Sequence, residues 1–118
     1  MKLTREELDG RRLRFVAAMN EAFPLWDTAL IVSNVNQYYF TGTMQNALLL
    51  IKSDGSYGCY VRKSWRRACD ESPLEAIFPI KTYRDAADHA GKALGNTYIE
   101  AEVMPVAMLE RIKSAFSV

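Results

Sequence analysis

Residues 47–62, ALLLIKSDGSYGCYVR, contain the local pattern that decides the fold. Two apolar runs flank Asp54-Gly55, a dipeptide that favours the tight turn between two antiparallel strands. The pattern predicts a β-hairpin with strands over residues 47–52 and 57–62. Because helical and strand-like segments alternate on both sides of it, we expect the hairpin to lie inside a larger sheet.

A long amphipathic helix and a buried strand are predicted before the hairpin. Thr4 and Glu7 have the spacing of a capping box, which favours a helix over residues 4–22 that Pro24 ends. The continuous apolar run over residues 29–32 is typical of a strand that is buried on both faces.

A short helix is predicted between this strand and the hairpin, in NVNQYYFTG at residues 34–42. Asn34 is the expected N-cap with Gln37 three residues later, and Gly42 is the expected end. Three consecutive aromatic residues on one or two helical turns cannot all face a core, so at least one should be exposed. They are Tyr38, Tyr39 and Phe40.

The segments after the hairpin also alternate between helix and strand. The first two are a helix over 64–72 that Ser64 caps and a helical turn over 74–78 after Pro73. A strand over 80–83 and a helix from Asp85 to Gly95 follow. The last two are a strand over 97–101 and a helix from Pro105 to about Phe116. The order predicts an α/β fold, a mixed β-sheet of about five or six strands with helices on both faces.

Composition narrows the class of protein. The chain has 118 residues, which predicts one domain, and its 15 basic and 14 acidic residues give a net charge of +1. This balance gives no electrostatic reason to expect nucleic acid or an anionic membrane as a partner. No apolar run approaches the roughly 20 residues that span a bilayer, and two cysteines are too few for a disulfide framework. We therefore expect a cytoplasmic protein.

No complete catalytic or metal-binding set is visible. His89 is the single histidine, and a closed zinc site needs about four ligands. Cys59 alternates within a predicted strand and is expected to be buried, whereas Cys69 lies near Arg66 and Arg67 with no histidine close in sequence. Glu100 and Glu102 would share one face of a strand, where they could act as a paired general acid and base. A polar strand end is the simpler interpretation.

A basic segment around an aromatic residue follows the hairpin. It begins at Arg62, contains Trp65 and ends at Arg67. Such a segment can bind an anion, but acidic residues follow at once and a solvated helix start is the simpler interpretation. If it is functional, the segment is expected to contact a carboxylate rather than a polymer.

Five segments in order resemble the N-terminal domain of the creatinase, aminopeptidase P and prolidase family. They are ALIVSN, NQYYFTG, LLLIKSDGSYGCYVRKS, RRACDES and IEAEVMPVAMLERI. The resemblance covers nearly the whole chain and implies an α/β domain without catalytic residues, with no cofactor of its own.

The resemblance further implies a parent protein with a C-terminal "pita-bread" catalytic domain that is absent from this chain. In the family that domain holds two divalent metal ions, for which Mn, Co or Zn are expected, and the peptidase members hydrolyse the bond before a proline. The N-terminal domain is expected to contact this catalytic domain, to form a homodimer and to help wall the active site.

The loop at residues 42–46 matches the family segment that reaches a partner subunit's substrate. The creatinase-type Phe and Arg of that loop are absent here, which favours a peptidase-like parent. The candidates for substrate access or for an interface are Tyr38, Tyr39, Phe40, Thr43, Gln45, Asn46, Arg62 and Trp65.

Two other functions stay open at this point. The aromatic loop over residues 38–46 could belong to a free-standing interaction or small-molecule-binding module, which would end naturally at Val118. A small enzyme that uses Glu100 and Glu102 is the second alternative.

Tyr38 and its aromatic neighbours could either anchor the short helix or line a surface directly.

Overall fold

The computed structural model describes residues 3–117 and contains five helices and five strands there. In chain order they are α1 (Arg5–Ala22), β1 (Thr28–Ile31), α2 (Asn34–Thr41), β2 (Ala47–Lys52), β3 (Tyr57–Val61), α3 (Trp65–Glu71), β4 (Ile77–Pro79), α4 (Tyr83–Ala90), β5 (Thr97–Ile99) and α5 (Val106–Ala115). The predicted N-terminal helix, short helix and hairpin are confirmed to within about two residues.

The hairpin forms the centre of one mixed sheet. The strand order is β4-β3-β2-β1-β5, with β2 antiparallel to both β1 and β3. The outer strands β4 and β5 run parallel to their neighbours, as helical crossovers require. The predicted α/β fold with a mixed sheet is therefore confirmed, with five strands.

The two faces of the sheet bury separate cores. Leu49 and Ile51 of β2 face one core, together with Leu8 of α1 and with residues of α2 and α3. Leu48 and Leu50 face the other core, which α4 and α5 cover. This alternation along β2 is the period-two pattern of a strand with helices on both faces.

The helix α2 is fixed to the sheet by a buried glutamine. Gln37 is 2% exposed, and its side-chain amide donates to the carbonyl oxygens of Ile31 and Ala47, the last residue of β1 and the first of β2. Ser33, rather than the predicted Asn34, is the N-cap and accepts from the amide of Asn36. The predicted end is confirmed, because Gly42 has a left-handed backbone with φ 78°.

The segment between α3 and α4 differs from the sequence prediction. The predicted helical turn over 74–78 is wrong, because β4 pairs with β3 there, with Ile77 opposite Cys59. The predicted strand over 80–83 is also wrong. Pro79 ends an edge strand, where its missing amide hydrogen removes no required hydrogen bond.

The boundaries of α4 differ for a local reason. Thr82 and Asp85 form a capping box, so the helix begins at Tyr83 instead of Asp85. The helix ends at Gly91, which has φ 94°, and not at Gly95.

The strand β5 is shorter than predicted and ends before Glu100. The Glu100 carboxylate accepts hydrogen bonds from the amides of Val32 and Ser33 and from the side chain of Asn36. Burial alone would raise the pKa of Glu100, but the bonds from Ser33, Asn36 and Val32 outweigh it and hold the pKa below its ordinary value. Glu100 therefore joins the end of β5 to the start of α2 as an anion.

Replacing Gln37 should test how firmly α2 is held. Gln37→Leu removes both hydrogen bonds at a buried position, and we expect the free energy of unfolding to fall by about 1–3 kcal/mol. Asn34→Ala, at an exposed position of the same helix, is the control and should change it by less than about 0.5 kcal/mol. Urea denaturation measures the free energy of unfolding of both variants, provided that the slope against urea concentration is unchanged. Equal midpoints for the two variants would contradict the role of Gln37.

The Glu100 contact predicts a pH dependence of stability. Because the folded pKa lies below the unfolded one, the stabilisation is present above the ordinary value of 4.5 and is lost as the pH falls through the lower, folded value. Glu100→Gln should lower the free energy of unfolding at pH 7 by about 1 kcal/mol, and the difference from wild type should shrink in acid. A difference that is independent of pH, or that also appears for Glu102→Gln, would contradict this assignment.

Candidate functional site

The loop after α2 leads from the left-handed turn at Gly42 to the start of β2. The hydroxyl of Thr41 donates to the carbonyl of Gln37 at 2.6 Å and accepts from the amide of Thr43. Thr43 is buried, whereas Met44 beside it is 56% exposed. The loop therefore has a buried, hydrogen-bonded start and an exposed tip.

The carboxylate of Glu71 on α3 holds this loop. The Thr43 hydroxyl donates to it at 2.7 Å and the Gln45 side-chain amide at 3.0 Å, while Arg67 Nε lies 3.4 Å from its second oxygen. The hydrogen bonds from Thr43 and Gln45 outweigh the opposing effect of burial and, with Arg67, hold the pKa of Glu71 below its ordinary value. The carboxylate stays charged at neutral pH and fixes two loop residues.

A cleft of about 480 Å³ opens beside this contact, and we call it the loop cleft. Its lining combines polar groups with the exposed side chains of Tyr38 and Met44. The residues that line it are Leu3, Tyr38, Gly42, Thr43, Met44, Gln45, Arg67 and Glu71. The structure thus brings three of the sequence candidates together: Tyr38, Thr43 and Gln45.

The three aromatic residues of α2 point in different directions. Phe40 is buried in the core, where its ring meets Phe15 edge to face at 5.2 Å. Tyr38 and Tyr39 are each 45% exposed. The Tyr39 ring lies 4.5 Å from the Arg11 guanidinium carbon, and its carbonyl accepts from the same side chain. The helix therefore uses one aromatic residue as an anchor and exposes two.

The basic segment from Arg62 to Arg67 does not form one surface. Arg62 lies against the Tyr83 ring at 5.5 Å, on the side of α4, whereas Arg67 pairs with Glu71. Trp65 is partly exposed, and its indole nitrogen donates to the carbonyl of Ile77 at 3.0 Å. Ser64 occupies the N-cap of α3 as predicted, but with a left-handed backbone and no side-chain hydrogen bond.

Asn46 lies outside the loop cleft. Its carbonyl oxygen accepts from the amide of Arg62 at 2.8 Å, next to the first pair of the β2–β3 ladder. The contact extends the hairpin by one residue, and the Asn46 side chain is exposed.

The residues considered for catalysis have structural contacts instead. Glu100 and Glu102 do not share a strand face, because β5 ends at Ile99 and Glu102 lies in the following turn. Cys59 is buried as predicted, and burial raises the pKa of its thiol to about 12, with a smaller contribution from Cys69. Such a thiol is protonated at neutral pH and is a poor nucleophile.

His89 lies on an exposed face of α4, as predicted, and contacts aromatic side chains. Its Nδ1 lies 3.0 Å from the Tyr60 hydroxyl, and its ring centroid lies 4.1 Å from that of Phe78. Within residues 3–117 no three His, Cys, Asp or Glu side chains cluster closely enough to hold a metal ion. The described part of the chain therefore does not fit the two metal ions that the resemblance implies for the parent.

No helix among the described residues is long and apolar enough to cross a membrane.

Sequence reasoning missed Glu71 as the residue that organises the loop. Glu71 lies 28 residues from Thr43, and only the fold brings α3 beside the loop. The one local signal was Arg67 four residues earlier, a spacing that favours an ion pair along a helix. That signal describes a solvated helix face equally well.

Comparison with known proteins agrees with this architecture. The family described as the creatinase/prolidase N-terminal domain matches residues 11–118. No curated protein sequence matches the chain. Among solved structures, a proline dipeptidase from Streptococcus agalactiae superposes with a TM-score of 0.77 at 14% identity, over 92% of this chain and 88% of that one.

Two longer structures have the same fold over part of their length. The prolidase from Pyrococcus furiosus gives a TM-score of 0.71 at 24% identity, and the X-Pro aminopeptidase from Thermotoga maritima gives 0.68 at 20%. The alignments cover 92% and 91% of this chain but only 33% and 31% of those two proteins. The family match over most of the sequence confirms the resemblance, and the chain belongs to the creatinase/prolidase N-terminal domain family.

Proposed function

We propose that this chain is the non-catalytic N-terminal domain of a metal-dependent Xaa-Pro peptidase of the prolidase or aminopeptidase P type. Its roles would be dimerisation and the shaping of the active-site entrance. The observation that carries the proposal is the family match over residues 11–118. The named prolidase and X-Pro aminopeptidase extend well beyond the aligned region, which leaves room in such proteins for a separate catalytic domain.

The chemistry of the described residues supports a non-catalytic role. The carboxylates of Glu71 and Glu100 each accept several hydrogen bonds and have a lowered pKa, so neither is suited to act as a general base near neutral pH. The two divalent metal ions, Mn, Co or Zn, would be held by a C-terminal catalytic domain to which this chain is joined. There they would activate water for hydrolysis of the Xaa-Pro bond.

The loop cleft supports a role at the active-site entrance. Glu71 fixes Thr43 and Gln45 through hydrogen bonds within this chain, so the loop has a defined shape before any substrate arrives. A wall that is already ordered loses little conformational entropy when substrate binds against it. Tyr38 and Met44 supply exposed apolar surface in the same cleft.

The outer face of α2 supports the proposed homodimer. Val35 is 78% exposed there, and Tyr38 and Tyr39 are each 45% exposed. Tyrosine is enriched at protein interfaces because its ring is apolar and its hydroxyl tolerates a wet edge. The two free cysteines, Cys59 and Cys69, suit the cytoplasm that we propose for the parent protein.

A free-standing interaction or small-molecule-binding module is the second candidate function. The polar lining of the loop cleft, which holds Thr43, Gln45 and Glu71 in fixed positions, favours it. The two candidates differ in one respect that is simple to measure. Only the first requires a longer polypeptide that hydrolyses peptides.

The full-length protein should hydrolyse Xaa-Pro peptides when it is supplied with Mn, Co or Zn. Activity should disappear on chelation and return with metal, because the metal ions activate the attacking water. The 118-residue chain alone should release no product. A metal-loaded full-length protein without activity on any Xaa-Pro peptide would contradict the proposal, as would hydrolysis by the isolated chain.

Glu71→Ala in the full-length protein should test the role of the loop. We expect KM for Xaa-Pro substrates to rise by about threefold to tenfold with kcat little changed, because the released loop forms a poorer wall but touches no reacting atom. Asp88→Ala, an exposed carboxylate on α4, is the matched control and should leave KM unchanged. Unchanged KM in a folded Glu71→Ala protein would contradict a loop role at the entrance.

A further inference from the structure

A second cleft lies on the face of the sheet that α4 and α5 cover. It has a volume of about 420 Å³, and three arginines from three different elements line it. Arg62 follows β3, Arg84 lies in the first turn of α4 and Arg111 lies on α5. Tyr83 and Ala115 complete the apolar part of the wall. We call this feature the arginine cleft.

The arginines of the arginine cleft form no ion pair within the described part of the chain. Among residues 3–117 no carboxylate lines the cleft. The carboxylate of Asp85 is near in sequence and stays charged, but it faces the amides of Lys81 and Thr82 and is not among the residues that line the cleft. The whole chain has a net charge of only +1, so this cluster is a local excess of positive charge.

The geometry of the cleft suits an oxyanion. Guanidinium groups present paired N–H donors that match the oxygens of phosphate and carboxylate groups. The guanidinium carbon of Arg62 lies 5.5 Å from the centroid of the Tyr83 ring, a cation–π contact that limits its movement. The N-cap Thr82 also lines the cleft, where the Asp85 carboxylate already offsets the positive end of the α4 dipole, so the arginines carry the attraction for an anion.

We propose that the arginine cleft binds a small, multiply charged oxyanion of the phosphate or polycarboxylate class. The site is distinct from the loop cleft, which α3 and the loop after α2 form on the other side of the sheet. It does not depend on the proposed peptidase role, because among the described residues the two clefts have no lining residue in common. A bound anion would stabilise the domain by linking the end of β3 to α4 and α5.

The test is an NMR titration of the isotope-labelled 118-residue chain, with its spectrum as the check that each variant is folded. Pyrophosphate and citrate are added separately, and sodium chloride at matched ionic strength is the screening control. We expect saturable shifts of the amides around Arg84 and Ser114 with at least one of the two anions, and none with chloride. Which anion saturates distinguishes a phosphate ligand from a polycarboxylate ligand.

The double variant Arg84→Ala, Arg111→Ala should weaken this binding by at least about tenfold, because charge-assisted hydrogen bonds to the anion are lost. Arg14→Ala, an exposed arginine on α1, is the matched control and should bind like wild type. Shifts that do not saturate, shifts that chloride reproduces, or an equal loss of affinity in Arg14→Ala would overturn the proposal.

Discussion

The arrangement of α2 and of the loop that follows it depends on the buried side-chain amide of Gln37. This one group joins the end of β1 to the start of β2, so the helix cannot shift along the sheet without breaking both contacts. The backbone carbonyl of Gln37 also accepts a hydrogen bond from the hydroxyl of Thr41, just before the chain reverses at Gly42. The loop therefore leaves the sheet in a fixed direction. Two hydrogen bonds to Glu71 are then enough to hold the buried first part of the loop.

The central hairpin separates two sites that can change independently. The loop cleft belongs to the layer of α1, α2 and α3, and the arginine cleft to the layer of α4 and α5. Residues of the two layers pack against opposite faces of β2, so substitutions in one cleft should have additive effects with those in the other. The proposed N-terminal domain would in this way shape an active site on one side of the sheet and bind a separate ligand on the other.

Much of the fold was predictable because its signals are local. The turn at Asp54-Gly55, the start at Thr4 and the end at Gly42 each depend on a few neighbouring residues. The sites were less predictable because they depend on contacts over long sequence distances. Nothing near Glu71 indicates that Thr43 will reach it, and β4 forms only because β3 lies beside it. The left-handed backbone at Ser64 sends Arg62 and Arg67 to different clefts, although they are close in sequence.

We propose that this domain works as part of a longer metallopeptidase. The most direct measurement is the mass of the native polypeptide in source cells, by immunoblot with an antibody raised against this chain. We expect a band far above 13.4 kDa, since the proposed catalytic domain would be joined to the chain. A single band at 13.4 kDa would contradict it and would instead identify a self-contained binding module.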